Sequence, residues 1–144
     1  MDSIACVRFK PSVLLDPLTP ALARILGALD TCARRLNVDL TVTCGRESHG
    51  LADPHTLGAA VDVRTRTLTA EQTGLAFQYL RATLGERWTV LYEVPARPEP
   101  ARLAVIATVN PHATGPHFHI QARKGTVYPP QDAVSRTVDT PLDA

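Results

Sequence analysis

The 144-residue sequence has no apolar run near the roughly 18 residues that a membrane-spanning helix needs. Its Lys and Arg residues are scattered and the formal net charge is only +1, so the basic stripe typical of nucleic-acid binding is missing. Acidic runs, which would indicate a charged interaction tail, are missing as well. We therefore expect neither a membrane nor a nucleic acid among the partners of this chain.

The first twenty residues lack the basic start and the unbroken apolar core of a secretory signal, since Asp2 follows the first residue and charges interrupt the apolar stretch. We expect the protein to be made in the cytoplasm. If it acts on a cell wall, another agent must release it, or a virion must carry it.

Cysteines are few: Cys6, Cys32 and Cys44 stand far apart and form no C-x-x-C pair. An odd number argues against a disulfide framework. Cys32 falls on an apolar helix face and Cys44 ends an apolar strand, so we interpret both as small buried hydrophobic residues. A cysteine nucleophile or a metal ligand is the alternative.

The sequence is 44% hydrophobic and 20% charged, which is typical of one soluble globular domain. Apolar residues at three- and four-residue steps predict a helix that starts at Thr19-Pro20 and runs to about Leu36. A second helix starts at the capping box formed by Thr69 and Gln72 and ends near Gly85.

Short β-branched runs predict strands at residues 40–44, 59–63, 88–92, 103–109 and 118–122. Together these elements predict an α+β fold, with two helices packed on a mostly antiparallel sheet of four to five strands. We assign the folded domain to residues 1–127 and an extended or mobile tail to residues 128–144.

The five histidines all fall between positions 49 and 119. His55 and Asp62 are seven residues apart, and Gly58 between them suits a turn that leads into a strand. His117 and His119 lie two apart, hence on one face of another strand. Two imidazoles and a carboxylate that leave a fourth position open are the donor set of catalytic zinc.

Two motifs resemble those of a known group of enzymes. HTLGAAVD at residues 55–62 matches H-x-x-G-x-A-x-D, a signature of the zinc D-alanyl-D-alanine carboxypeptidases, dipeptidases and related phage endolysins. HFH at residues 117–119 matches the H-x-H that these enzymes share with lysostaphin-type peptidases and the hedgehog signalling domain. The order of helices and strands is also similar over roughly Thr19 to Arg123.

The resemblance implies that His55, Asp62 and His119 bind Zn²⁺. It implies that His117 stabilises the oxyanion of a tetrahedral intermediate and that Arg46, in TCGR, holds or polarises the substrate. The family chemistry is the attack of a zinc-activated water on a peptide bond, usually one that involves D-alanine.

The chain departs from the family pattern where Pro116 occupies the position of the usual acidic residue, three before the last metal histidine. Proline cannot transfer a proton, so Glu93, at the end of the strand WTVLYE, is the candidate general base. Asp53 stands where a serine is common, and we expect it to orient a ligand through an outer hydrogen bond. His49 and His112 we interpret as loop residues.

The leading hypothesis is therefore a zinc peptidase of the phage or prophage lysis or tail type, acting on peptidoglycan stem peptides. A non-catalytic zinc-binding domain of the same fold, serving as a binding or virion structural module, is the main alternative. Zinc-dependent hydrolysis of another small amide is a third.

Overall fold

The computed structural model describes residues 5–47, 53–98 and 100–123. Within those ranges six strands and three helices follow in the order β1 Val7–Phe9, α1 Pro20–Leu36, β2 Leu40–Cys44, β3 Ala60–Arg64, α2 Ala70–Leu84, β4 Trp88–Val94, α3 Ala101–Ile106, β5 Ala107–Val109 and β6 His117–Ala122. His49 and the tail predicted at residues 128–144 lie outside the described residues.

Both predicted helices are confirmed, and the predicted caps explain where they begin. Thr19 Oγ1 accepts a hydrogen bond from the backbone N–H of Leu22 at 3.0 Å, which satisfies one of the free donors of the first turn of α1. Thr69 and Gln72 form the reciprocal capping box of α2, and Gly85 ends that helix with φ 87°. None of the helices in the described ranges combines the length and the apolar character needed to span a bilayer.

The sheet is mixed and has the order β1-β2-β3-β6-β4-β5 in the described chain. Its three central pairings are antiparallel, whereas the outer pairs β1–β2 and β4–β5 are parallel. The α+β class and the four inner strands are confirmed. The predicted count of four to five strands is wrong, because β1 and β5 are three-residue edge strands, too short to show a hydrophobic period.

The predicted strand at residues 103–109 is wrong over most of its length, because residues 101–106 form α3. Leu103 is buried and Ile106 packs against the same core, three residues further along the same helix face. Val105, between them, is 84% exposed. The amphipathic spacing of Leu103 and Ile106 therefore makes this segment helical, despite its β-branched residues.

Alternation along the central strands gives the sheet two chemically different faces. On one face, Val61, Val63, Phe118 and Ile120 are fully buried in the core that α1 and α2 complete. The intervening residues, which include Asp62, Arg64, Glu93, His117 and His119, are half-buried on the opposite face. The helices thus cover the apolar face, and the polar face carries the predicted chemistry.

Candidate metal centre

Asp62 lies between two histidines on the polar face of the sheet. Its Oδ1 is 3.0 Å from Nδ1 of His119, the residue directly opposite it in the β3–β6 register. The same oxygen is 3.3 Å from Nε2 of His55, which precedes β3 in a tight turn. The two imidazole rings meet edge to face, with centroids 5.1 Å apart. The fold thus brings together the three residues that the motifs single out.

These separations suit a tetrahedral metal ion. With metal–donor bonds of about 2.0–2.2 Å, two ligands of one tetrahedral zinc lie about 3.3 Å apart. The Asp62 oxygen is 3.0 and 3.3 Å from the two imidazole nitrogens. A metal ion could therefore replace the contact that Asp62 makes with each imidazole.

Cys44 adds a sulfur donor beside this cluster. The β2–β3 register sets it opposite Asp62, and donor atoms of Cys44, His55 and Asp62 all lie within 4.8 Å of one another. These three residues can therefore form a metal-binding site, and thiol, imidazole and carboxylate together suit a divalent transition metal. The interpretation as a buried hydrophobic residue is confirmed for Cys32 and wrong for Cys44, which is half-buried at a cleft.

Asp53 fixes the orientation of His55. Its Oδ1 accepts hydrogen bonds from the backbone N–H of His55 at 2.8 Å and from ring Nδ1 at 3.1 Å. With Nδ1 occupied by Asp53, Nε2 is the ring nitrogen that faces Asp62. The outer hydrogen bond expected of Asp53 is confirmed.

Gln121 holds the other nitrogen of His119. Its Oε1 lies 2.8 Å from Nε2 of that ring, while Nδ1 faces Asp62. Sequence reasoning missed Gln121, although a signal was present. It follows His119 by two residues on the same strand, so the two side chains share a face.

The turn that carries His55 is tied to the start of α1. Gly58 adopts φ 74°, and a Cβ there would come within 2.5 Å of Thr19 Cγ2. Thr19 Oγ1 donates to the carbonyl of Gly58, so one hydroxyl caps α1 and holds the turn.

Arg46 donates from Nε to the carbonyl of Thr56 at 3.1 Å and from a terminal nitrogen to that of Pro17. The guanidinium expected to hold substrate thus binds two backbone carbonyls.

The electrostatics of the cluster follow from the position of Asp62. Burial alone would raise the pKa of Asp62, but hydrogen bonds and charge from His119 and His55 hold it far below its usual value. Burial would lower the pKa of both histidines, and the hydrogen bonds and charge of Asp62 outweigh it, so both pKa values are raised. Burial and the nearby negative charges of Asp62 and Glu47 raise the pKa of Cys44 to about 12.

Glu93 and His117 form a second pair on the adjacent strands β4 and β6. Nε2 of His117 lies 3.0 Å from Glu93 Oε1, and Nδ1 lies 3.0 Å from the carbonyl oxygen of Gly115. A carbonyl can only accept, so Nδ1 carries a hydrogen. Nε2 is then the ring nitrogen that faces Glu93. The structure brings the predicted base and the predicted oxyanion group into direct contact.

A cleft of about 360 Å³ opens beside the cluster. Its wall includes Cys44, Asp62 and His117, whereas Arg46 and Glu93 do not line it. The remaining lining residues come from the position after β1, from β2, from the end of β3 with its following turn, and from the segment before β6: Lys10, Thr43, Arg64, Arg66, Thr114, Gly115 and Pro116.

His112 lies in an exposed turn, as expected of a loop residue, and its backbone N–H binds the side chain of Asn110.

No protein-family model, curated protein or solved structure matches the chain. The family resemblance stays a prediction based on the two motifs.

Proposed function

We propose that this protein is a zinc-dependent peptidase that hydrolyses stem peptides of peptidoglycan, with His55, Asp62 and His119 as the metal ligands. The supporting observation is the position of Asp62, whose Oδ1 lies 3.3 Å from His55 Nε2 and 3.0 Å from His119 Nδ1. The motifs at residues 55–62 and 117–119 suggest the substrate class. Zinc, when bound, lowers the pKa of a water molecule and polarises the scissile carbonyl.

His117 and Glu93 are the residues that handle protons in this proposal. His117 lines the cleft next to Asp62, and Glu93 contacts its Nε2 at 3.0 Å from the neighbouring strand. Peptide hydrolysis needs a group that takes a proton from water and returns one to the leaving amine. We assign that proton to the carboxylate–imidazole pair, whose two side chains are in contact at 3.0 Å and 18% exposed. It would replace the acidic residue missing at Pro116.

A non-catalytic zinc-binding module is the second candidate, and Cys44 is the observation in its favour. If the thiolate binds together with His55, Asp62 and His119, the ion has four protein ligands. A closed set of four is typical of structural zinc, whereas catalytic zinc keeps one position open. Such a module would serve as a binding or virion structural part.

Digestion of purified cell walls separates the two functions. The zinc-supplemented full chain is incubated with peptidoglycan, and the released peptides are identified by mass spectrometry. A peptidase produces new amino and carboxyl ends within the stem peptide, and the His55→Ala variant does not. A chain that binds zinc at one ion per molecule but releases no peptide contradicts the peptidase and supports the binding module.

A further inference from the structure

Three cationic side chains converge on the cleft from different parts of the fold. Lys10 follows β1, Arg64 ends β3 and Arg66 lies in the turn after it, and all three line the same wall. Among the described residues, no hydrogen bond or ion pair engages the side chain of any of them. Unpaired cations gathered around one concavity raise the local concentration of anions.

The one carboxylate among the residues that line the cleft is already engaged. This carboxylate belongs to Asp62, and its Oδ1 contacts both His55 and His119. The cleft wall therefore carries an excess of positive charge that the described protein does not neutralise. Arg64 lies directly opposite His117 in the β3–β6 register, so this charge adjoins the groups assigned to proton transfer.

We propose that Lys10, Arg64 and Arg66 bind a carboxylate of the substrate and thereby select an anionic peptide. The inference rests on the proposed function for the identity of the substrate, but the anion site itself follows from the cleft. Guanidinium groups present paired donors that match the two oxygens of a carboxylate. Arg46 binds two backbone carbonyls and does not line the cleft, so it is not assigned this role.

The test compares three single-residue probes that differ in whether they carry a carboxylate and where it is. N-acetyl-D-alanine has a terminal carboxylate, its amide has none, and N-acetyl-D-isoglutamine has only a side-chain carboxylate. Binding to the zinc-supplemented full chain is followed by NMR chemical-shift titration. We expect at least one acid to bind about five times more tightly than the neutral amide. The tighter acid identifies the source of the carboxylate.

Charge-removal variants assign the site to its residues. Arg64→Gln and Arg66→Gln each weaken binding of the acid by about three- to tenfold and leave binding of the amide unchanged. Arg64→Lys keeps the charge but loses the paired donors, so its affinity should lie between those of the wild type and Arg64→Gln, and it controls for folding of β3. Arg35→Gln, an exposed arginine on α1, has no effect.

Equal binding of acids and amide overturns the proposal, and so does a loss in Arg64→Gln and Arg66→Gln no larger than in Arg35→Gln. Because the readout is binding, it does not depend on turnover. Selective anion binding without peptide hydrolysis would contradict the peptidase and leave the anion site standing.

Discussion

Glu93 Oε1 lies 3.0 Å from Nε2 of His117 on the neighbouring strand, while a backbone carbonyl occupies the other nitrogen of that ring. The pair resembles the carboxylate–imidazole arrangements that hold a catalytic base in one orientation. It lies on the same sheet face as Asp62, and only its histidine reaches the cleft. In the proposed peptidase, Glu93 would therefore act through His117.

Replacing Glu93 with Gln removes the proton acceptor and keeps the shape of the side chain. We expect turnover of cell-wall peptides to fall by about 10²–10⁴-fold, because this is the usual contribution of a general acid or base. Zinc content should stay at one ion per chain. Glu86→Gln, at an exposed position after α2, is the matched control and should be fully active. Full activity of Glu93→Gln would remove Glu93 from the mechanism.

Gly58 should not tolerate a side chain. Its φ of 74° is strained for alanine, and the added Cβ would approach Thr19 Cγ2 to 2.5 Å. We expect Gly58→Ala to lower the free energy of unfolding by about 2 kcal/mol and to weaken zinc binding, because the turn carries His55. Chemical denaturation and a zinc titration measure the two effects. Gly27→Ala, in open space on α1, is the control and should not destabilise the chain.

The metal-free protein should lose stability as the pH rises above neutrality. The pKa values of His55 and His119 lie above the ordinary histidine value of 6.5. The stabilisation that these groups contribute is therefore complete below the unfolded pKa and disappears as the folded histidines lose their protons. The pKa of Asp62 is lowered, so its contribution is lost only in acid. Thermal melts in a chelator should therefore show a falling midpoint from about pH 6 to 9. Asp62→Asn should flatten that profile, and a midpoint that rises instead would contradict the charge assignment.

Cys44→Ser decides between an open and a closed metal site. In the peptidase the thiol stays protonated at the cleft wall, consistent with its pKa of about 12 in the metal-free chain. The variant should then keep zinc and activity, and the cobalt-substituted wild type should lack the near-ultraviolet sulfur-to-metal band. A strong band that disappears in Cys44→Ser would show a thiolate ligand, and with it a site of the structural kind.

The sequence patterns predicted the helices and the central strands better than they predicted the residues around the candidate metal centre. The caps at Thr19 and Thr69 and the alternation around Asp62 and His119 depend on near neighbours in sequence, so they can be recognised there. The role of Arg46 cannot, because its partners are carbonyls 10 and 29 residues away. The edge strands and the cations around the cleft likewise depend on which distant segments become neighbours in the sheet.

The most direct measurement is a zinc titration of the chelator-treated chain, with bound metal counted by mass spectrometry or atomic emission. The account predicts one zinc per molecule in the wild type and in His112→Ala, whose ring lies in an exposed turn. Asp62→Asn and His119→Ala should each weaken binding by more than about a hundredfold, since loss of even an outer partner costs about 10–100-fold. A wild-type chain that binds no zinc, or a His119→Ala variant that binds it unchanged, would contradict the assignment of His55, Asp62 and His119 as ligands.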